Sequence, residues 1–192
     1  AKKLRELMYS AFFVADHATH FYILGGPDFV VGPDAPKSER NILGVVRKVG
    51  KEIGGKVMQM LKDNHEIAGI IGGRYIHSVS AIVGGGSKPI TEENRLAILE
   101  RSKRSVEFAK ESLQLFDDIV MGNPEYVDMI TSDSFAHQTY YMGLVDENNH
   151  VNFYDGKVRV VSPRGEELIK YGPEEYLDVI AEHLEPWTYL KF

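Results

Sequence analysis

Two pairs of side chains in the first half of the sequence have types and spacings that chemistry uses. His17 and His20 stand three residues apart, and Asp16 precedes His20 by four. On a helix that spacing brings all three groups near one face. A His-x-x-His pair chelates a metal when further donors arrive from elsewhere. Otherwise such imidazoles hydrogen-bond inside a packed interface. With a metal bound, Asp16 is placed to orient His20 as an acceptor. The second pair is Arg74 and His77, within Gly72–Ile90, GGRYIHSVSAIVGGGSKPI. Glycine pairs let the backbone take positive φ or pass close to another surface. Arg74 and His77 are then offered from a loop held between helices, a common way to build a site. The plain alternative is a tight inter-helix connection.

Neither pair completes a catalytic set. GGGSKP lacks the GxxxxGK(S/T) spacing of a phosphate loop, and no GxSxG elbow or HExxH zinc signature occurs. Asp117 and Asp118 fall at a helix end and read as capping or solvated charge. The 192 residues contain no cysteine. Disulfides, cysteine-ligated zinc, iron–sulfur ligation and thiol nucleophiles are therefore excluded within them. A net charge of −6 without clustered Lys and Arg argues against a nucleic-acid surface. No run approaches eighteen apolar residues, so no membrane-spanning helix is expected. The opening AKKLRELMYSAFF is basic but lacks a cleavage site, and it reads as a helix rather than a signal peptide.

The elements that must position these residues follow from periodicity. Leu4, Leu7, Met8, Ala11, Phe12, Ala15, Ala18, Phe21 and Leu24 define a helix over 1–24, stopped by Gly25, Gly26 and Pro27. Residues 25–37 read as an irregular loop. Ser38 caps a second helix over 38–66, carrying Ile42, Val45, Val49, Ile53, Val57, Met60 and Leu61. Its four glycines, at 44, 50, 54 and 55, predict either close approach to another backbone or a kink near Gly54. After the Gly-rich histidine loop at 72–90, Thr91 caps a helix over 91–121, and a short helix follows near 124–130. Charged residues from Glu100 to Lys110 predict a solvated or interfacial face. The runs YYMGLVD, VNFY and KVRVV, split by Asn148-Asn149 and Asp155-Gly156, predict a three-stranded meander over 140–162. Pro173 opens a last helix over 173–184, with Tyr176, Leu177, Ile180 and Leu184 turned inward. The fold class is mainly α (α+β), with long packed helices and a small antiparallel β-meander.

DHATHFYIL with GGPDF, then GGRYIHSVSAIVGGGSKPIT, GLVDENNHVNFYDGKVRVV and EHLEPWTYLKF occur in an order and spacing that resemble the large subunit of nickel–iron hydrogenases. The resemblance is strongest to the cytoplasmic class that includes viologen-reducing, non-deazaflavin-reducing archaeal enzymes and NAD-linked ones, and it covers essentially the whole chain. It implies an oxidoreductase that splits H2 at a nickel–iron centre and passes electrons through iron–sulfur clusters in a partner small subunit, with further electron-transfer subunits beyond it. In that family two CxxC pairs hold the metal, one before and one after the region that matches here. The resemblance therefore implies a central fragment, inactive alone, in a cytoplasmic setting. It also implies that His17 and His20 are structural or proton-relay neighbours and that Arg74 and His77 belong to the active-site wall. Glu182 and Lys191 resemble polar positions behind the ligands of a structural cation. Ser78 stands where the family usually has proline, which implies a less rigid loop. The alternatives are a cysteine-less scaffold or quinone-linked electron-transfer subunit related to respiratory complex I, and a two-histidine metal-binding helical module.

Overall fold

The structure is a computed structural model that describes residues 1–189. It divides into two compact units, Ala1–Ser132 and the part from Asp133 onward. As the sequence predicts, the fold is mainly α with small antiparallel sheets.

Three helices make the first unit: α1 (Lys2–Thr19), α2 (Ile42–Gly72) and α3 (Glu92–Phe116). Ala11, Ala15 and Ala18 are spaced to share one face of α1, and all three are buried. Their small side chains let α1 lie close along α2, whereas Leu7, Phe12 and Leu24 of the predicted stripe are exposed. Ala11 packs with Ile67 and Ile71 of α2 and Ile98 of α3, while Ala15 and Ala18 pack with Val57, Met60, Leu61 and Phe108. This order makes the bundle antiparallel, with the start of α1 beside the end of α2 and the start of α3. Burying each large apolar side chain such as Met60 or Phe108 contributes about 1.5–3 kcal/mol.

Helix ends differ from the periodicity reading. The chain does not stop at Gly25-Gly26-Pro27 but continues in wide π-type turns, His20–Gly25 and Pro27–Val31. Pro27 removes one N–H and crowds the carbonyl four residues back, yet Gly26 keeps helical dihedrals (φ −56, ψ −43) and the run continues. Helix α2 starts after Asn41 rather than Ser38, because the Asn41 carboxamide oxygen accepts the Gly44 N–H at 3.1 Å. The break in α2 lies at Gly50 (φ 88, ψ 160), not at Gly54. Of the four glycines only Gly44 abuts backbone, the carbonyl of Glu39, and a Cβ on Gly55 would meet nothing within 4 Å. Thr91 caps α3 through Asn94 N–H at 3.2 Å. Beyond α3 a wide turn, Asp117–Met121, leads to α4 (Pro124–Thr131), capped by Asn123. Between α2 and α3 lies a two-residue hairpin, β1 (Ala81–Ile82) with β2 (Gly85–Gly86).

The second unit holds an antiparallel meander in the order β3 (Tyr141–Val145), β4 (Lys157–Val161), β5 (Glu167–Tyr171). VNFY is not a strand, and only Val151 bridges back, to Val145. The Asp146 carboxylate accepts the amides of Asn148 and His150, and the Asn152 carboxamide accepts those of Tyr154 and Asp155. These side-chain acceptors take donors that a strand would need for its ladder. The third strand is ELIKY instead. The predicted last helix is reduced to a 3-10 turn, Pro173–Glu175, and α5 (Tyr176–Val179). Tyr176, Leu177, Ile180 and Leu184 are exposed, not turned inward.

Candidate functional site

Arg74 and His77 are carried on a short arm at the end of α2. Gly73 ends the helix in the left-handed region (φ 76, ψ −24), its N–H donating to the Gly69 carbonyl at 2.8 Å. The chain then swings through residues 74–77 and returns: the Val79 and Ser80 amides both donate to the Gly72 carbonyl, at 2.9 and 3.1 Å. The Ser78 hydroxyl donates to the same oxygen at 3.0 Å. The loop expected to be looser for lack of proline at Ser78 is thus tied down by the serine itself. Arg74 and His77 are exposed, and His77 holds φ 54, a region sparsely used by residues other than glycine. Tyr75, between them, stacks on His65 of α2, ring centroids 3.6 Å apart and planes at 27°. Burial lowers the His65 pKa below its ordinary value.

The histidine pair of α1 lies elsewhere. A Cβ on Gly72 would come within 3.0 Å of the Met8 sulfur, so the arm sits beside the first turns of α1. His17 and His20 are between about 13 and 18 Å further along that helix, at roughly 1.5 Å per residue. The two pairs are therefore at opposite ends of the bundle. His17 is exposed and its Nδ1 lies 2.7 Å from the Phe13 carbonyl, one turn back. His20 is exposed at the mouth of an apolar cleft of about 180 Å³ walled by Phe21, Phe29, Val30, Phe116 and Ile119. The π-type turns at His20–Gly25, Pro27–Val31 and Asp117–Met121 all contribute to that cleft. Glu182 is exposed beyond α5, and Lys191 lies outside the described residues.

Sequence reasoning missed a polar seam between α2 and α3. The Asp63 side chain is 2% exposed, with Arg104 at 2.9 Å and Arg101 at 3.8 Å. Arg104 donates through Nε and one terminal nitrogen to the two carboxylate oxygens, and Gln59 adds a third hydrogen bond. Burial pushes the carboxyl pKa up, but Arg104, Gln59 and the charge of Arg101 outweigh it, and the net shift is downward. Arg101 also pairs with Glu66 at 2.6 Å. Next to this network the Asn64 carboxamide donates to the Met60 carbonyl and the Ser105 hydroxyl. The one available signal is Asn64, a polar residue interrupting the apolar spacing of Met60, Ile67 and Ile71.

Comparison with known proteins places this arrangement. No protein-family model matches the chain. The whole chain superimposes on 42% of a chain of a NAD+-reducing nickel–iron hydrogenase solved in the H2-reduced state, with a TM-score of 0.87 and 28% identity. It is 39% identical over 191 residues to an F420-non-reducing hydrogenase iron-sulfur subunit of Archaeoglobus profundus. It is 40% identical over 191 residues to a vhu-type F420-non-reducing hydrogenase subunit of Methanocaldococcus jannaschii. The chain spans 39% and 44% of the length of these two relatives. Over its whole length the chain is similar, in fold and in collinear sequence, to part of the large subunits of nickel–iron hydrogenases.

The donor set of the chain does not fit the metal centre of that family. A nickel–iron site draws on soft thiolate ligands, and the sequence has no cysteine. Among the described residues no three His, Asp or Glu side chains converge as a metal-binding group. The His17–His20 pair thus gains no third donor among them. No helix among the described residues is long and apolar enough to cross a membrane.

Proposed function

We propose that the chain forms part of the large subunit of a nickel–iron hydrogenase, an oxidoreductase that interconverts H2 with protons and electrons. The observation that carries this reading is whole-length agreement in sequence and fold, with a TM-score of 0.87 to a NAD+-reducing nickel–iron hydrogenase. The metal and its thiolates belong to large-subunit sequence other than these residues, and electrons leave through iron–sulfur clusters of a partner small subunit in the cytoplasm. Arg74 and His77 supply a cation and an imidazole to the cavity wall, and their shared arm favours joint action. His17 and His20, at the other end of α1, act in packing or proton relay away from that wall. Glu182 and Lys191 stand behind the ligands of a structural cation. The matched relatives carry hydrogenase names, so the complex I-like scaffold reading has no observation behind it.

The test compares the chain alone with the chain joined to its adjoining large-subunit sequence and produced with the small subunit plus maturation proteins. The longer form is expected to hold nickel and to reduce viologen dye under H2. The 192-residue chain alone is expected to do neither. Nickel-dependent turnover by the short chain would overturn the reading.

A further inference from the structure

The arm bearing Arg74 and His77 is held in a conformation that its own residues do not favour. His77 adopts φ 54 while exposed, and no bond or ring contact is assigned to its side chain among the described residues. Such dihedrals persist only where the surroundings over-determine them. Two anchors do so. The last carbonyls of a helix have no partner within it, and here the Gly72 carbonyl receives the Val79 and Ser80 amides and the Ser78 hydroxyl together. The chain therefore leaves α2 and returns to the same oxygen within a few residues. The fit is close: a Cβ on Gly72 would lie 2.8 Å from the Ser78 hydroxyl oxygen. The second anchor is the stack of Tyr75 on His65, which ties the middle of the arm to a helix.

We infer that Ser78 and His65 are positioning residues that hold residues 74–77 as a preformed arm, so that Arg74 and His77 stand at fixed places on the cavity wall. The inference rests on the hydrogenase reading for the word wall, and on the geometry alone for the arm. Preformed placement matters because catalytic geometry loose by an ångström loses much of its effect.

Amide hydrogen exchange on the full 192-residue chain tests the arm without reference to activity. Ser78→Ala is expected to speed exchange at Val79 and Ser80 about fivefold, the worth of one net hydrogen bond of about 1 kcal/mol. Ser78→Thr, which keeps the hydroxyl, is expected to restore protection. His65→Ala is expected to speed exchange at the hydrogen-bonded amides that flank the arm, those of Gly73, Val79 and Ser80, and His65→Phe, which keeps a stacking ring, to recover it. Unchanged exchange in both alanine variants overturns the inference. In the assembled hydrogenase, Ser78→Ala is expected to lower kcat with nickel content unchanged, and Ser78→Thr to recover it. Faster exchange with unaltered kcat overturns the positioning role. If Arg74→Lys and His77→Gln also leave kcat unaltered, the failure belongs to the wall assignment rather than to the anchors.

Discussion

At the scale of single residues the strongest constraint is the Asp63 carboxylate, closed off from water and met by two arginines of α3. The partners are unequal. Asp63 is buried, whereas the Arg104 side chain is 51% exposed and reaches solvent. Removing the cation leaves a buried carboxylate with a weaker partner set, but neutralising the carboxylate leaves an arginine that water can serve. Arg104→Met is therefore expected to cost about 2–3 kcal/mol, below the full penalty for a broken buried pair because Arg101 remains. Asp63→Asn should cost less, about 1–2 kcal/mol, the worth of hydrogen bonds to a charged group. Urea unfolding of both variants checks the order, and the reverse order would contradict it. The pH dependence follows in sign. The Asp63 pKa is lower in the folded chain than its ordinary 3.8, so its contribution is complete above that value and is lost as pH falls through the folded pKa. Asp63→Asn is expected to flatten the acid limb of the stability curve. His65, also lowered from 6.5, binds its proton more readily when unfolded, so it too withdraws stability as pH falls below 6.5. Little of this was legible in the sequence. Arg101 and Arg104 lie in a run of mixed charge whose period looks solvated, and nothing in a linear pattern says that two of its members meet an acid across a helix seam.

At the scale of elements, local signals name the helices and misplace their ends. Gly-Gly-Pro at 25–27 reads as a stop because each residue alone weakens a helix. Packing against α2 and α3 carries the chain through it in wider turns. The meander shows the same limit. Asn148-Asn149 and Asp155-Gly156 do form turns, yet the Asn152 carboxamide takes the amides of Tyr154, within VNFY, and Asp155, just after it, and ELIKY becomes the third strand. The glycines of α2 separate the two effects cleanly. Gly50 has φ 88, which an L side chain tolerates poorly, whereas Gly55 is helical, exposed and has open space around its missing Cβ. Gly50→Ala is expected to destabilise by about 1–2 kcal/mol through the left-handed penalty. Gly55→Ala is expected to stabilise by about 0.5–1 kcal/mol through helix propensity. Thermal melts of the pair would show opposite displacements of Tm, and displacements of the same sign would mean that the break is not located at Gly50. The candidate arm was legible as a glycine-framed loop with Arg74 and His77. Its anchors were not, because His65 reads as one more helical residue and Ser78 as one more loop serine.

At the scale of the whole molecule, the apolar surface has too few internal partners. The chain exposes 13813 Å², against roughly 11,000 Å² expected if its two units were each separate compact bodies of their size. Leu43 and Leu113 are each 69% exposed and Met58 is 65% exposed, all on the helices of the first unit. On the hydrogenase reading proposed above, these side chains are surface that other protein covers, in keeping with a chain spanning about two fifths of its relatives' length. Net charge of −6 opposes association only weakly at ordinary salt. The chain alone is therefore expected to self-associate through these faces, with an apparent mass that rises with concentration and persists at high salt. Leu43→Glu with Leu113→Lys should lower that association without lowering Tm, because neither side chain belongs to the buried clusters. Joined to the adjoining large-subunit sequence, the wild-type chain should lose the concentration dependence, since the same faces are then occupied. Sedimentation velocity over a wide concentration range decides the matter. A single monomeric boundary for the chain alone would mean that its exposed leucines are ordinary surface, and that the agreement with a longer subunit says nothing about what covers them.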